Sequence, residues 1–398
     1  MPTKLVKLDQ DASDQHGKTS QIHHNELMTK ISEDVPKTTQ KSGSQPIDSV
    51  APKPATSAGG NRKSGWWIYI ISSLMIIGGV LIIAASNGAF HRGPTGDTSA
   101  TARPIPAAYS GSRAGGYLKQ LCDLGPRPSG SLGMQRQQEL LQQFFTNQGA
   151  TVTFQTFQIR HPENGSDIRM ANLIASWHPN RPKRYLICAH YDTRPYPDQD
   201  RRNRRGRFIG ANDGASGTAG LMELAHQMKD LPADVGVDLV AFDGEEFVFQ
   251  QGRDKYFLGS TFFAEKYKLA PPTQPYQAGV LLDMIGDREL KIYYEMNSLR
   301  FARPVATDIW RTARRLGVRA FVPKSRHDIQ DDHLPLNNIA RIPTVDIIDF
   351  DYPRPGIGAP SYWHTEQDIP ENCSGDSIAA VVWAVSYTHL TLPTKRIV

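Results

Sequence analysis

Cysteine is scarce in this chain: Cys122, Cys188 and Cys373 are the only three in 398 residues. Their spacing fits neither a zinc ribbon nor a CxxC redox motif, which argues against thiolate metal binding or disulfide exchange. One disulfide with a thiol left over, or three free thiols, remain open. Phe, Tyr and Trp are missing from residues 1–64, where Lys, Asp, Ser, Thr, Gln and Pro are abundant. Such a segment buries too little apolar surface to offset its ordering entropy, so we expect it to be disordered. Charge is missing from the next stretch, "GWWIYIISSLMIIGGVLIIAA", residues 65–85. About 20 such residues span the hydrocarbon core of a bilayer. Trp66, Trp67 and Tyr69 stand at one end, where amphipathic rings favour the interface. The segment is too long and too far from the N-terminus for a cleaved signal peptide. Arg62 and Lys63 abut its start, whereas Arg92 and Arg103 follow at a distance, so the N-terminus is expected in the cytoplasm. The sequence thus predicts a signal-anchored, single-pass protein with its large C-terminal part outside the cytoplasm. Few cysteines suit a bacterial periplasm or cell surface.

A large charge excess is also missing. The net charge of +5 gives no reason to expect a nucleic-acid partner. Its most local source is "RRNRRGR", residues 201–207, a solvated loop or an attractor of acidic substrates or lipid headgroups. Residues 86–110 are a Gly/Pro/Ser/Thr linker. Residues 111–384 carry one domain's worth of periodic sequence, expected to be monomeric. From Val385 onward, "VSYTHLTLPTKRIV" fits nothing before it and resembles translated sequencing adapter, so His389 is given no function.

Several apolar runs stop abruptly at polar residues. "YLICA" leads into His190-Tyr191-Asp192, "VDLVAF" into "DGEEF", "AGVLLDMIGD" carries Asp283, and "IPTVDIID" follows "IQDDH". Runs of four to eight Val, Ile and Leu suit strands buried on both faces. Between them lie helical patterns. Leu221, Leu224, Ala225 and Met228 share one face, as do Leu140, Leu141, Phe144 and Phe145, with Gly149 as a C-terminal cap. The alternation predicts an α/β fold with a mixed, mainly parallel central sheet flanked by helices. Ligands of such sheets gather beyond the strands' carboxyl ends, where these acids fall.

The residue types at those ends suit a metal. His190 and Asp192 sit two apart, so Asp192 is a candidate to steady the imidazole from behind. "GANDGASG" sets Asp213 in a glycine-rich turn, "DGEEF" supplies Glu245 and Glu246, and "YWHTEQD" supplies His364. Each alone is also a common turn, helix start or surface histidine. Together they form the His and carboxylate mix that zinc uses at hydrolytic sites. Of twin glutamates, one can bind metal while the other moves protons.

"AHYDTRP", "GANDGASG", "DGEEF", "LLDMIGD" and "WHTEQD", in this order, resemble the M28 family of zinc aminopeptidases and its glutaminyl cyclase branch. The resemblance covers about residues 113–384, including "GPRPSGS". It implies Asp213, Glu246 and His364 as zinc ligands and Glu245 as the acid/base. His190 and Asp283 match the second-metal ligands of two-zinc aminopeptidases, so one ion is expected, or two if both sets are used.

Residues 329–333, "IQDDH", separate the branches. Aminopeptidases of the family carry a serine before the "DH" pair; the cyclases carry a second aspartate, as here. The resemblance then implies Asp331 in a hydrogen-bonded carboxylate network with Asp283 and Glu245, holding at least one proton. Ile329, Gln330 and Trp363 would line the substrate pocket, with Asp332 and His333 a structural pair behind it. "DKYFLGS" also resembles a cyclase segment. One departure stands out: Gln250 and Gln251 occupy the positions of the usual His-Trp of animal-type cyclases. The expected function is glutaminyl-peptide cyclotransferase, acting on peptides with a free N-terminal glutamine. The alternatives are an M28 zinc aminopeptidase and a catalytically silent binding domain. The last usually loses ligands, and none is missing here.

Overall fold

The apolar runs form strands whose alternate residues face two separate cores. In β3 (Lys183–His190), Ile187 and Ala189 join one cluster, and Leu186 and Cys188 the other. β4 (Val235–Phe242) repeats this, with Leu239 and Ala241 on one face and Val240 and Phe242 on the other. It is buried at every position. That period of two with both faces covered is why these strands read as continuous apolar runs. The computed structural model describes residues 101, 103–351 and 362–390. The expected disordered segment, the run 65–85 and most of the linker lie outside the described residues. Among the described residues no helix is long and apolar enough to cross a membrane.

Six strands form the main sheet in the order β1-β2-β4-β3-β5-β8. β1 (Thr151–Arg160) and β2 (Asp167–Trp177) make an antiparallel hairpin, and β2 pairs antiparallel with β4. β3 pairs parallel with β4 and with β5 (Tyr276–Asp283), which pairs parallel with β8 (Thr344–Ile348). The sheet is therefore mixed, with a parallel centre, as the sequence predicts. A parallel pair, β6 (Ile292–Tyr294) and β7 (Phe321–Ser325), stands apart.

Helices cover both faces. α1 (Gly111–Asp123), α2 (Leu132–Asn147), α3 (Gly217–Ala225), α6 (Arg303–Leu316) and α8 (Gly375–His389) contribute to the larger core. α4 (Leu258–Leu269) and α7 (His333–Asn338) add Phe263 and Leu336 to the smaller one. α5 (Met296–Phe301) precedes α6. Sequence signals place several ends: Ser131 Oγ accepts from Met134 N at the start of α2, and Gly149, at φ 83°, follows its end. Core packing begins upstream of residue 111, because Tyr109 is buried and its hydroxyl meets Ser386 Oγ at 2.6 Å. α8 runs through Val385 and Ser386, both buried. The three cysteines are buried free thiols.

One ion pair lies between the central strands. Arg184 of β3 and Asp238 of β4 are both buried and paired, with Tyr276 donating to the same carboxylate. Removing one partner of such a pair strands the other charge, whereas replacing both by apolar groups can be neutral. Arg184→Leu should therefore lower unfolding free energy by about 3–5 kcal/mol. Adding Asp238→Leu should recover most of the loss, as read from urea midpoints; a double variant no better than the single would contradict this.

Candidate active site

The parallel strands all deliver their carboxyl ends to one edge. β3 ends at His190 and β5 at Asp283, while β4 turns through Asp243 and Gly244 into Glu245 and Glu246. The connection from β3 runs to β4 on one side and that from β4 crosses back to β5 on the other, which opens a crevice at the carboxyl ends of β3 and β4. Asp213 reaches the same place from the turn Ala211–Ser216, where its φ/ψ of −105°/93° break the helical run. Gly214 lets this turn approach β3: a Cβ there would fall 2.6 Å from His190 Cε1.

Asp213, Glu246 and His364 converge. His364 Nε2 lies 3.3 Å from Asp213 Oδ2 and 2.9 Å from Glu246 Oε1. All three are buried, and their donor atoms lie within 4.8 Å of one another. Glu246 Oε2 is buried with no hydrogen-bond partner among the described residues. Two carboxylates, one imidazole and an unsatisfied carboxylate oxygen fit a zinc ion with an open coordination position. Behind the ligands, His364 Nδ1 meets Asp198 Oδ1 at 3.0 Å, and Arg194 reaches both Asp198 (3.0 Å) and Glu246 (3.3 Å). Asp368 accepts from Asn212 N (2.7 Å) and Asp213 N (3.1 Å), fixing the Asp213 turn. His364, at φ 53°, and Met284, at φ 47°, adopt left-handed backbone uncommon for such residues, and both line the pocket.

His190 and Asp283 form the adjoining group. His190 Nε2 lies 3.2 Å from both Asp213 Oδ1 and Asp283 Oδ1, so His190, Asp213 and Asp283 are a second set able to hold a cation. Asp192 does more than the sequence suggests. It stands 3.6 Å from His190 Nδ1, too far for a firm hydrogen bond, and instead accepts from Glu245 N and Glu246 N, each at 3.1 Å. Its carboxylate thus aims the twin glutamates. Burial pushes the Glu245 carboxyl well above the usual range; His190 opposes this, and Glu246 and Asp331 add to it.

Four of the five residues of "IQDDH" are buried. Ile329, Asp331, Asp332 and His333 are buried, while Gln330 is exposed at the pocket. Burial pushes Asp331 well up, with Asp283 and Asp332 adding to it. Asp331 Oδ1 accepts from Asp332 N at 2.5 Å, and Oδ2 has no hydrogen-bond partner among the described residues. The expected hydrogen-bonded network with Asp283 and Glu245 is therefore not formed; Asp331 lines the same pocket as both instead. Asp332 takes the Ser260 hydroxyl, and His333 sits 3.4 Å from Glu295 and 3.7 Å from Asp346. Glu295 is the anchor of this region. Its carboxylate accepts from Asn297 N (2.7 Å) and Ser298 N (2.5 Å) at the start of α5, and from Ile329 N (3.1 Å).

Between these groups lies a pocket of about 310 Å³. Ile329, Met284 and Ile348 form an apolar cluster with Phe350 and Trp363 against it. Trp363 meets Phe350 edge-on at 5.1 Å and stacks on His364 at 3.9 Å between ring centroids. Of the two unusual glutamines, Gln251 lines the pocket, whereas Gln250 is held by its backbone N–H to Asp254 (2.8 Å). Sequence reading missed Arg194, Asp198, Glu295, Phe350 and Asp368. The "WHTEQD" segment contained Asp368, but nothing in it marks that carboxylate as a support for Asp213.

Two outcomes follow from this geometry. Gly214→Ala drives a methyl into the buried His190 ring, so zinc affinity should fall roughly 10–100-fold with the fold retained, as measured by chelator competition and circular dichroism. Unchanged affinity would show that the Gly214 turn can relax. Glu295 has its carboxyl lowered from 4.5 to about 2; burial works against this, and His333 with backbone N–H groups overcomes it. A depressed folded pKa contributes stability above pH 4.5 that is lost as pH falls towards 2. Glu295→Gln should cost about 1–3 kcal/mol near neutrality. Its acid-unfolding curve should also be flatter than wild type across that window.

Known proteins match this arrangement. The profile of peptidase family M28 matches residues 172–389, more than half of the chain. The glutaminyl-peptide cyclotransferase of Bothrops jararaca is 28% identical over 240 residues, 52% of this chain and 61% of that protein. The chain thus spans somewhat under two thirds of that curated relative. Among solved structures, Fimbriiglobus ruber glutaminyl cyclase aligns with a TM-score of 0.67 and 40% identity, covering 73% of this chain and 97% of that one. A Zn-dependent exopeptidase from Parabacteroides distasonis aligns at 0.65 and 30%, covering 72% and 99%. On this profile match and these relatives, the chain belongs to peptidase family M28, on its glutaminyl cyclase branch.

Proposed function

We propose that this protein is a zinc-dependent glutaminyl-peptide cyclotransferase, converting N-terminal glutamine to pyroglutamate with release of ammonia. The observation that carries this is Asp331, a buried acid lining the same pocket as Glu245 and Asp283, where the family's aminopeptidases are expected to have a serine. Asp213, Glu246 and His364 would hold the zinc, which supplies Lewis-acid polarisation of the γ-carboxamide oxygen.

The chain's own residues do the rest. The glutamine side chain enters beside Trp363 and Ile329, whose apolar surfaces exclude water from the reacting atoms. The free α-amine attacks the carbonyl carbon of the γ-carboxamide (Cδ), forming the ring C–N bond as the bond to the amide nitrogen breaks. Glu245 takes the proton from the amine and passes it to the departing nitrogen, so ammonia leaves and no water is consumed. A base raised by burial suits this transfer, because it binds the proton firmly enough to hold it between the two steps. Asp331, a buried acid with an unpartnered Oδ2 in the same pocket, is placed to hold a proton beside this path and so to moderate the charge near Glu245. Holding amine and carbonyl together supplies part of the acceleration, since the attack is intramolecular.

A second reading has one observation in its favour. His190, Asp213 and Asp283 could hold another cation, as an aminopeptidase with two ions requires. There Glu245 would activate water to cleave the first peptide bond. The uncharged run 65–85 supports an anchored enzyme acting outside the cytoplasm. Protease added to spheroplasts, whose cytoplasmic membrane is intact but whose periplasm is open, should then remove the C-terminal part; full protection would contradict that topology.

Glu245→Gln should lower ammonia release from a glutamine-initiated peptide about 10²–10⁴-fold with zinc content unchanged. Asp331→Asn should lower kcat far more than it changes KM. Near-wild-type kcat in either variant would remove that residue from the proton path.

A further inference from the structure

The arginine-rich stretch 201–207 has no part in the chemistry above, yet it is fastened to the pocket. Asp200 Oδ1 accepts from Arg202 N (2.8 Å) and Asn203 N (2.9 Å), and its Oδ2 accepts from Glu366 N (3.1 Å). Glu366 Oε1 in turn accepts from Asn203 Nδ2 and Arg207 N, each at 3.0 Å. Just upstream, Gln199 lines the pocket and donates its N–H to the His364 carbonyl at 3.1 Å. The loop is therefore tied to the segment that carries Trp363 and His364. On its other side, Arg205 lies over the Tyr196 ring (5.2 Å) and beside Glu163 (3.6 Å). Tyr196 meets Phe249, three residues past Glu246, at 6.0 Å.

Arg201, Arg202 and Arg204 are exposed and make no ion pair among the described residues. The nearby acids are already committed. Asp200 and Glu366 hold the loop's backbone, Asp198 faces Arg194 and His364, and Asp328 accepts from Asn297 on the far lip. Exposed unpaired charge of one sign adds nothing to fold stability, and these groups repel one another. Their effect is felt by what approaches. Arg201 is two residues from Gln199, so its Cα lies within about 7 Å of a pocket-lining residue. That is inside the ~8 Å Debye length of physiological salt.

We propose that this loop is an electrostatic docking site for acidic side chains in the first few positions after the N-terminal glutamine of a polypeptide substrate. The inference rests on the cyclase reading of the pocket and names the substrate class that reading leaves open. A chain leaving the pocket advances about 3.3–3.6 Å per residue, so its third to fifth residues pass within reach of these guanidinium groups. A polypeptide substrate fits better than a lipid surface. Interfacial sites pair basic with apolar residues, and the exposed large hydrophobics of the described residues, Leu132, Leu269 and Met296, all lie outside this loop.

The test uses the zinc-loaded full chain and three glutamine-initiated peptides of equal length, with glutamate, serine or lysine at positions three to five. At low salt, kcat/KM for the acidic peptide should exceed that for the serine peptide about tenfold, mostly through KM, and high salt should close the gap. Arg201→Gln/Arg202→Gln/Arg204→Gln should abolish the preference while leaving the serine peptide unaffected. Equal values for acidic and serine peptides in wild type, or a preference that survives the triple variant, would overturn the proposal. Should no peptide be cyclised, the cyclase reading fails, and docking is then decided by fluorescence anisotropy of the labelled acidic peptide. Weaker binding by the triple variant sustains the site, and equal binding ends it. Binding to phosphatidylserine vesicles that the triple variant loses, without any peptide preference, would assign the loop to a lipid surface instead.

Discussion

Burying like charges at the shared carboxyl edge of a parallel sheet is the constraint on which this structure turns. Asp213, Glu245, Glu246, Asp283 and Asp331 line one pocket, with His190, His364 and Arg194 set against them. Carboxylates this close and this dry cannot all stay ionised without a cation or shared protons. The site answers in two ways. On one side, Asp213, Glu246 and His364 offer a metal its ligands. On the other, Glu245, Asp283 and Asp331 have carboxyls raised by burial, which favours the protonated form over the bare charge.

The surroundings serve that division. Asp192 clamps the backbone of both glutamates, Asp368 holds the Asp213 turn, and Asp198 with Arg194 orients His364 and Glu246. Glu295 does the corresponding work for "IQDDH", linking α5 to Ile329 and lying beside His333. Apolar side chains then close one wall of the pocket, so the reacting groups meet little water. Cyclisation needs this arrangement because water is the competing nucleophile.

Much of this was legible in the sequence because the signal is local. An apolar run of alternating burial that stops at an acid marks both a strand and its end, and the parallel pairing of β3, β4, β5 and β8 brings those ends together. The positions of His190, Glu245, Glu246 and Asp283 follow from that, whereas Asp213, Asp331 and His364 lie in turns and loops away from strand ends and are placed by the resemblance to the M28 family. Arg194, Asp198, Glu295, Phe350 and Asp368 were not legible, since each acts on a partner far along the chain or through a backbone N–H. Asp192 shows the same limit from the other side. Its spacing from His190 suggested an imidazole partner, but the turn after β4 brings two backbone donors closer to it. The arginine loop was visible as charge, while its attachment to the His364 segment depends on Asp200 and Glu366, which are 166 residues apart.

The central claim is that the α-amine attacks the carbonyl carbon of the γ-carboxamide, rather than water the first peptide carbonyl. Incubating the zinc-loaded protein with a glutamine-initiated peptide in heavy-oxygen water, followed by mass spectrometry, tests this directly. Cyclisation predicts a peptide lighter by one ammonia that carries no heavy oxygen. Free glutamine bearing heavy oxygen in its new carboxylate would mean that Glu245 activates water, and that the protein is an aminopeptidase.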